Sequence, residues 1–126
     1  MRAVDTNVLV RLVTRDDVRQ VAAAEAFIAR GAWVPHLALA EATWVLSSVY
    51  NRRPEAIADA VEMLLNHEHL TLQDRETVTA AIERFRERTK LGFSDCLVLE
   101  VALKAGHRPL GTFDRHLGKI EGAQRL

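Results

Sequence analysis

Residues 2–13 have the sequence RAVDTNVLVRLV, and this opening stretch decides which fold the rest of the chain can complete. The segment from Arg2 to Asp5 is short, has an apolar centre and ends on an acid, which predicts a first β-strand with Asp5 at its carboxyl end. The apolar run from Val8 to Val13 predicts a short helix directly after it. A strand that leads into a helix is the first half of a β–α–β unit, so a parallel strand is expected to follow.

The remaining sequence alternates helix and strand signals in the same way. Helices are predicted from Asp17 to about Arg30, from Leu37 to Tyr50, from Pro54 to Asn66, after Asp74, and from Ser94 or Asp95 to Ala105. Strands are predicted at residues 32–34, 69–72 and 110–113, with a further edge strand in the tail from Lys119. This alternation predicts an α/β fold in three layers, with a parallel-stranded central sheet flanked by helices, in one domain over residues 1–126.

Composition indicates a compact domain in a reducing compartment. The chain has 126 residues, of which 48% are hydrophobic and 27% are charged. No apolar run approaches the roughly 18 residues that a membrane span needs, and the acid at Asp5 is unlike a signal peptide. The single cysteine, Cys96, cannot form an internal disulfide, which fits a cytoplasmic protein without membrane contact.

The charge balance bears on nucleic-acid binding. The 17 basic and 17 acidic residues cancel, whereas phosphate contacts need clustered Lys and Arg. If several acids converge on one metal ion, however, the surface that remains is net basic. The balance is therefore a weak objection to a nucleic-acid substrate.

Four acids stand where such convergence is expected. Asp5 and Asp114 each follow a short apolar strand, and Asp95 lies in the first turn of a predicted helix. In parallel sheets, ligands bind beyond the carboxyl ends of the strands. Glu41 lies inside a helix that is apolar almost all round, and a buried carboxylate is costly unless it is paired or binds a metal. The set predicts a cation site at one edge of one sheet.

Each acid also has a purely structural interpretation. Asp is a favoured N-cap residue, and three of the four positions precede helices or lie in their first turns. Glu41 alone is compatible with an exposed helix edge or with an Arg partner. The combination favours a metal site, because converging carboxylates repel one another unless a cation neutralises them. Hard oxygen ligands suit Mg²⁺ or Mn²⁺.

At these four acids the sequence resembles the PIN-domain family. Residues 4–9 (VDTNVL) are similar to the opening motif of that family, and residues 39–42 (LAEA) resemble its second acid motif. Residues 93–96 (FSDC) and 111–114 (GTFD) resemble the third and fourth. The order and the chain length are similar to those of VapC-type toxins of toxin–antitoxin pairs.

The resemblance implies a Mg²⁺-dependent or Mn²⁺-dependent endoribonuclease with Asp5, Glu41, Asp95 and Asp114 as catalytic and metal-binding residues. Asp5, Glu41 and Asp95 would hold the ion, directly or through water, and Asp114 would hold a water or a second ion. The residues expected to hydrogen-bond the acids or the phosphate are Thr6, Asn7, Ser94 and Thr112, each of which also fits a cap or turn. Many relatives carry a further acid two residues after the fourth, where this chain has His116.

The resemblance further implies an RNA substrate, single-stranded or looped, a cognate antitoxin protein that blocks the acidic site, and a homodimer. Two alternatives keep the same fold: a housekeeping RNA-processing nuclease and a protein-binding module without activity. Receiver domains and haloacid dehalogenase-type phosphotransferases also place acids at the edge of a parallel sheet. The first need paired acids after the first strand and the second need Asp-x-Asp, but Val4 and Asn7 occupy those positions.

Other polar and aromatic residues carry weaker signals. Arg11, Arg115 and Lys119 are the candidates for RNA contacts. The stretch at residues 83–88 interleaves Glu with Arg and predicts a solvated helix face. Cys96, Trp33 and Trp44 are expected in the core. His67 and His69 have no further His or Cys nearby and are expected on the surface or in a strand.

Overall fold

The computed structural model describes residues 1–87 and 90–126, so Arg88, part of the predicted solvated face, lies outside the described residues. The strands are β1 (Arg2–Ala3), β2 (Ala32–Val34), β3 (Leu70–Leu72), β4 (Leu110–Thr112) and β5 (Ala123–Arg125). The helices are α1 (Thr6–Thr14), α2 (Val18–Ile28), α3 (His36–Ser48), α4 (Pro54–Leu65), α5 (Arg75–Glu87) and α6 (Phe93–Lys104), with a short 3₁₀ helix at Leu117–Lys119. The α/β fold predicted from the sequence is confirmed.

All described strand pairs are parallel, but they form two sheets. The order in the larger sheet is β1-β2-β3, with Arg2 opposite Ala32 and Ala32 opposite Leu70. Strands β4 and β5 pair only with each other, with Leu110 opposite Ala123. The expectation that all four acids line one edge of one sheet is therefore wrong for Asp114, which follows a strand of the second sheet.

Helix ends follow the local sequence signals. Asp17 caps α2 by accepting a hydrogen bond from the backbone N–H of Gln20 at 3.0 Å. Pro54 occupies the first turn of α4, where its missing N–H costs no hydrogen bond. Gly106 follows α6 with a φ of 85°, a left-handed conformation that glycine adopts without a steric penalty.

The core lies between the β1-β2-β3 sheet and the helices. Strand β2 buries Ala32 and Val34 and exposes part of Trp33, as the two-residue period of a strand requires. Leu9 of α1, Leu39 of α3 and Leu99 of α6 are almost fully buried in one continuous cluster. These three helices therefore pack into the same core.

Helix α3 is not buried all round, contrary to the prediction. Ala38, Leu39, Ala42 and Leu46 are buried, but Leu37 is 78% exposed and Trp44 is 63% exposed. One side of the helix faces the core and the other faces solvent, but apolar residues occupy both sides. Its residue types alone therefore could not reveal which face is exposed.

Every described helix is short compared with a membrane span. The longest, α3 and α5, have 13 residues each. Within the described chain, no helix combines the length and the apolar character of a membrane span.

Candidate functional site

Helix α3 brings three of the four acids into one neighbourhood of the fold. It carries Glu41 and packs against α1, whose N-cap is Asp5, and against α6, whose first turn contains Asp95. Asp114 follows β4 and precedes the 3₁₀ helix, so it belongs to the smaller sheet.

Asp5 is held at the start of α1 by its own helix. Its backbone is extended, and its Oδ1 accepts a hydrogen bond from the N–H of Val8 at 3.2 Å. This is the capping role that the sequence also allowed. The residue is exposed, and Oδ2 accepts no hydrogen bond from the described residues.

Asp95 is held by a backbone N–H that precedes it in the sequence, whereas Asp5 is held by one that follows it. It is the third residue of α6, and its Oδ2 accepts a hydrogen bond from the N–H of Gly92 at 3.2 Å. Gly92, not Ser94 or Asp95, is the N-cap, so the predicted helix start was late by about two residues. The half-buried carboxylate keeps Oδ1 without a partner among the described residues.

Asp114 is the most tightly held of the four. Its Oδ1 accepts a hydrogen bond from the N–H of Leu117 at 2.7 Å, and this bond lowers the pKa of the Asp114 carboxyl. The backbone N–H of His116 and the nearby charges of His116 and Arg115 lower it further. The backbone N–H of Asp114 donates to Oγ1 of Thr112 at 3.0 Å, so the Thr112 side chain contacts the backbone of Asp114 and not its carboxylate.

Glu41 is exposed, which corrects the prediction that it is buried. It lies on the solvent side of α3 and makes no hydrogen bond or ion pair with the described residues. The cost of burying a charge therefore does not explain this residue, and what relates it to the other acids is that its helix, α3, packs against both α1 and α6.

The four carboxylates share one property, which is that none forms an ion pair with a Lys, Arg or His of the described residues. Asp5, Asp95 and Asp114 each use one oxygen for a backbone N–H and keep the other free of described partners. Free carboxylate oxygens are the hard donors that Mg²⁺ and Mn²⁺ prefer, so the donor set fits such an ion. Among residues 1–87 and 90–126, no three Asp, Glu, His or Cys side chains lie close enough together to hold one ion, so their grouping stays a prediction.

The predicted accessory residues divide into two groups. Thr112 contacts Asp114 as described, whereas Thr6, Asn7 and Ser94 make no side-chain hydrogen bond to the acids within the described structure. Asn7 is exposed one turn from Asp5, and Ser94 directly precedes Asp95. Both remain near the acids without being fixed to them.

The Arg11 guanidinium contacts side chains of the protein itself, which disfavours the RNA-binding role predicted for it. Its guanidinium pairs with Asp16 at 2.9 Å and donates to the hydroxyl of Tyr50 at 2.9 Å and to Gln20. Arg115 and Lys119 are exposed and make no ion pair within the described structure, which leaves them available to an anionic ligand.

The sequence prediction missed an exposed tryptophan near the acids. Trp44 was expected in the core, but it is exposed and lies three residues after Glu41, on the same side of α3. The i, i+3 spacing was the signal that could have placed it. Trp33 is also partly exposed, at 38%, while Cys96 is fully buried as predicted, and burial raises the pKa of its thiol to about 11.

The comparisons with known proteins agree with the motif order. The family model described as the PIN domain matches residues 2–123, a range that contains all four acids. Comparison with curated proteins gave no match, and comparison with solved structures gave none.

Proposed function

Because the chain belongs to the PIN-domain family, whose members are generally nucleases, we propose that it is a divalent-metal-dependent endoribonuclease. The substrate in this proposal is single-stranded or looped RNA, and the ion is Mg²⁺ or Mn²⁺. Unpaired bases are the accessible ones in RNA, because the deep major groove of an RNA duplex hides base edges from side chains.

The observation that carries the proposal is the state of the four acids. Asp5, Asp95 and Asp114 are each oriented by a backbone N–H and have no cationic side chain against them in the described structure. Each of these three keeps one carboxylate oxygen free of hydrogen-bond partners in the described structure, and Glu41 has no partner there. The four acids stand in the order of the family motifs, which supports a role in binding a cation and a phosphate.

In this proposal the acids and the cations have different roles in the reaction. Asp5, Glu41 and Asp95 would hold the ion, and Asp114 would orient the attacking water, since its lowered pKa keeps it ionised. The ion, when bound, would stabilise charge on the scissile phosphate and lower the pKa of a water molecule. Arg115 and Lys119, which follow Asp114, would bind neighbouring phosphates.

The test is cleavage of a mixed RNA substrate with Mg²⁺ and with EDTA, by the wild type, Asp5→Asn and Asp95→Asn. Each substitution keeps the side-chain size but removes the negative charge. We expect metal-dependent cleavage by the wild type and a loss of about 100-fold or more in each variant.

Asp17→Asn is the matched control. Asp17 caps α2 through the same kind of hydrogen bond as Asp5 makes at α1, but it lies outside the four motifs. This variant should cleave like the wild type. No cleavage by the wild type on any RNA would contradict the proposal and favour a protein-binding module, and cleavage that survives in Asp5→Asn would show that these acids are not the site.

We also propose that the nuclease is the toxin of a toxin–antitoxin pair, with a small antitoxin that covers the acids. The motif order and chain length that resemble VapC-type toxins support this role over housekeeping RNA processing. Induced expression in bacteria should arrest growth, and expression of Asp5→Asn should not. Unimpaired growth with an active nuclease would favour the housekeeping alternative.

The same resemblance supports a homodimer. Size-exclusion chromatography with light scattering should give twice the mass of 14.1 kDa. A monomer at all concentrations would contradict this part of the proposal.

A further inference from the structure

A cavity of about 280 Å³ lies beside the acids, between the second half of α3 and the start of α6. Its volume is near the lower end of small-ligand sites, which begin at roughly 300 Å³. Of the four acid motifs, only residues 93–96 contribute to its lining, through Phe93 and Ser94. Its size suits a single group such as a nucleobase rather than a row of several side chains.

The floor and the rim of this cavity differ in character. Buried apolar side chains form the floor, with Phe85 and Phe93 in edge-to-face contact at 5.9 Å between ring centroids. The rim contains the exposed indole of Trp44 and two exposed cations, Arg52 and Lys90. An apolar floor, an aromatic plate and cations match the parts of a nucleotide, which are a flat base and a phosphate.

The cavity adjoins Asp95, one of the proposed catalytic acids. Gly92 and Ser94 belong to its wall, and a Cβ added at Gly92 would lie 3.5 Å from Oδ2 of Asp95 and 3.8 Å from Oγ of Ser94. On the opposite wall, Trp44 follows Glu41 by three residues on one side of α3. A phosphate bound at Asp95 would therefore have the cavity beside it, where an adjacent nucleotide could lie.

The positive charge on the cavity rim indicates which class of ligand the cavity binds. Neither Arg52 nor Lys90 forms an ion pair with any acid of the described chain, so both charges are available to a ligand. An apolar peptide would leave these two cations without partners, whereas a polyanion neutralises them. Stacking on an aromatic face needs an unpaired base, which a duplex does not offer.

We propose that Trp44, with Arg52 and Lys90, forms a subsite that stacks one unpaired base of a single-stranded RNA next to the cleaved phosphate. This inference rests on the proposed nuclease function and adds a residue that selects single-stranded substrate. The Trp44 indole stacks on the flat face of the base, so the subsite tolerates any base. Arg52 and Lys90 bind the phosphate beside that base.

Binding can be measured apart from cleavage in the Asp5→Asn background, with a short fluorescein-labelled single-stranded RNA of mixed sequence. Loss of one stacked base typically weakens binding by about 5- to 150-fold. We expect Trp44→Ala to weaken the affinity within this range and Trp44→Phe to restore most of it. In a Trp33→Phe background Trp44 is the remaining tryptophan of the two in the chain, and bound RNA should quench its fluorescence.

The matched control is Leu37→Ala, which removes another highly exposed apolar side chain from α3 outside the cavity. It should not change RNA affinity, and the corresponding duplex RNA should bind with no dependence on Trp44. Equal affinities of Trp44→Ala and the unsubstituted background would overturn the subsite. A changed oligomeric state in Trp44→Ala with unchanged RNA affinity would also overturn it, in favour of a protein interface.

Salt dependence tests the two cations separately. For single strands, each phosphate contact contributes about 0.7 to the slope of log affinity against log salt. Arg52→Gln and Lys90→Gln should each lower that slope by about this amount without changing the tryptophan quenching at saturation. Unchanged slopes in both would contradict the phosphate contacts. RNA binding that depends on Trp44 without any cleavage by the wild type would keep the subsite and reject the nuclease.

Discussion

The acids on the α4–α5–α6 face and the four acids around α3 have opposite surroundings. On the first face, several acids are paired with a cation: Arg84 binds Glu100 at 2.7 Å, Arg86 binds Asp59 and Glu62 at 3.0 and 2.6 Å, and Lys104 binds Asp74 at 2.6 Å. Around α3 and after β4, Asp5, Glu41, Asp95 and Asp114 have no cationic side chain against them within the described structure.

The difference separates carboxylates that stabilise the fold from carboxylates that are available to a ligand. A carboxylate that bridges two helices to an Arg adds stability and has little capacity left for a ligand. A carboxylate fixed by one backbone N–H keeps a free oxygen and its full negative charge. Substitution should therefore affect stability on the first face and activity at the second site.

The largest expected effect comes from Glu41→Gln, which removes one negative charge on the exposed side of α3. Glu and Gln have similar helix propensities, so the free energy of unfolding should change by less than about 0.5 kcal/mol. If Glu41 is a metal ligand as proposed, RNA cleavage should fall by about 100-fold or more. Initial cleavage rates and urea denaturation give the two readouts.

Glu100→Gln is the opposite test on the paired face. The Glu100 side chain is 16% exposed, and its Oε1 accepts a hydrogen bond from Nε of Arg84 and lies 2.7 Å from Nη2 of the same residue, so the change should cost about 1.5–3 kcal/mol of unfolding free energy. Its cleavage rate should equal that of the wild type when both are folded. A loss of activity in Glu100→Gln, or of stability in Glu41→Gln, would remove the distinction between the two regions.

A smaller effect is expected from acid. The ammonium of Lys104 and the hydroxyl of Thr77 lower the pKa of Asp74 from 3.8 to about 2. Because the folded-state pKa is below the unfolded one, the contribution of Asp74 to stability is complete above pH 3.8 and is lost as the pH falls towards 2. The difference in Tm between the wild type and Asp74→Asn should therefore narrow over this window. A difference that stays constant would exclude the ionised carboxylate as its cause.

The smallest effect is expected from Arg86→Ala on the same face. Its two carboxylate partners are 73% and 52% exposed, so solvent screens both ion pairs. Double-mutant cycles of Arg86→Ala with Glu62→Ala should give a coupling of about 0.2–1 kcal/mol. A coupling free energy as large as that between Arg84 and Glu100 would show that solvent exposure does not determine the relative strength of these ion pairs.

The sequence was sufficient where the signal is local. Asp17 and Pro54 mark the starts of their helices by chemistry confined to one turn, and Gly106 ends α6 in the same way. The alternation of short strands and helices predicted parallel pairing, and every described pair is parallel. The strand-end positions of Asp5 and Asp114 were predictable for the same reason.

The errors arose where the outcome depends on distant residues. The exposure of Glu41 and Trp44 depends on which side of α3 faces the core, and the apolar composition of that helix does not encode a side. Arg11 is held by Asp16 and Tyr50, and the second partner is 39 residues away in sequence. The division into two sheets depends on β4 pairing with β5, and parallel pairing has no turn signal between the strands.

The most direct test of the central claim is metal binding measured without RNA. Thermal unfolding of the wild type should shift to higher temperature with Mg²⁺ or Mn²⁺, by the equivalent of about 2.7 kcal/mol at 100 times Kd. Asp17→Asn should show the same shift, and Asp5→Asn should lose most of it. A wild type whose Tm does not respond to either ion, or an Asp5→Asn variant that gains as much as the wild type, would contradict a cation site built from these acids.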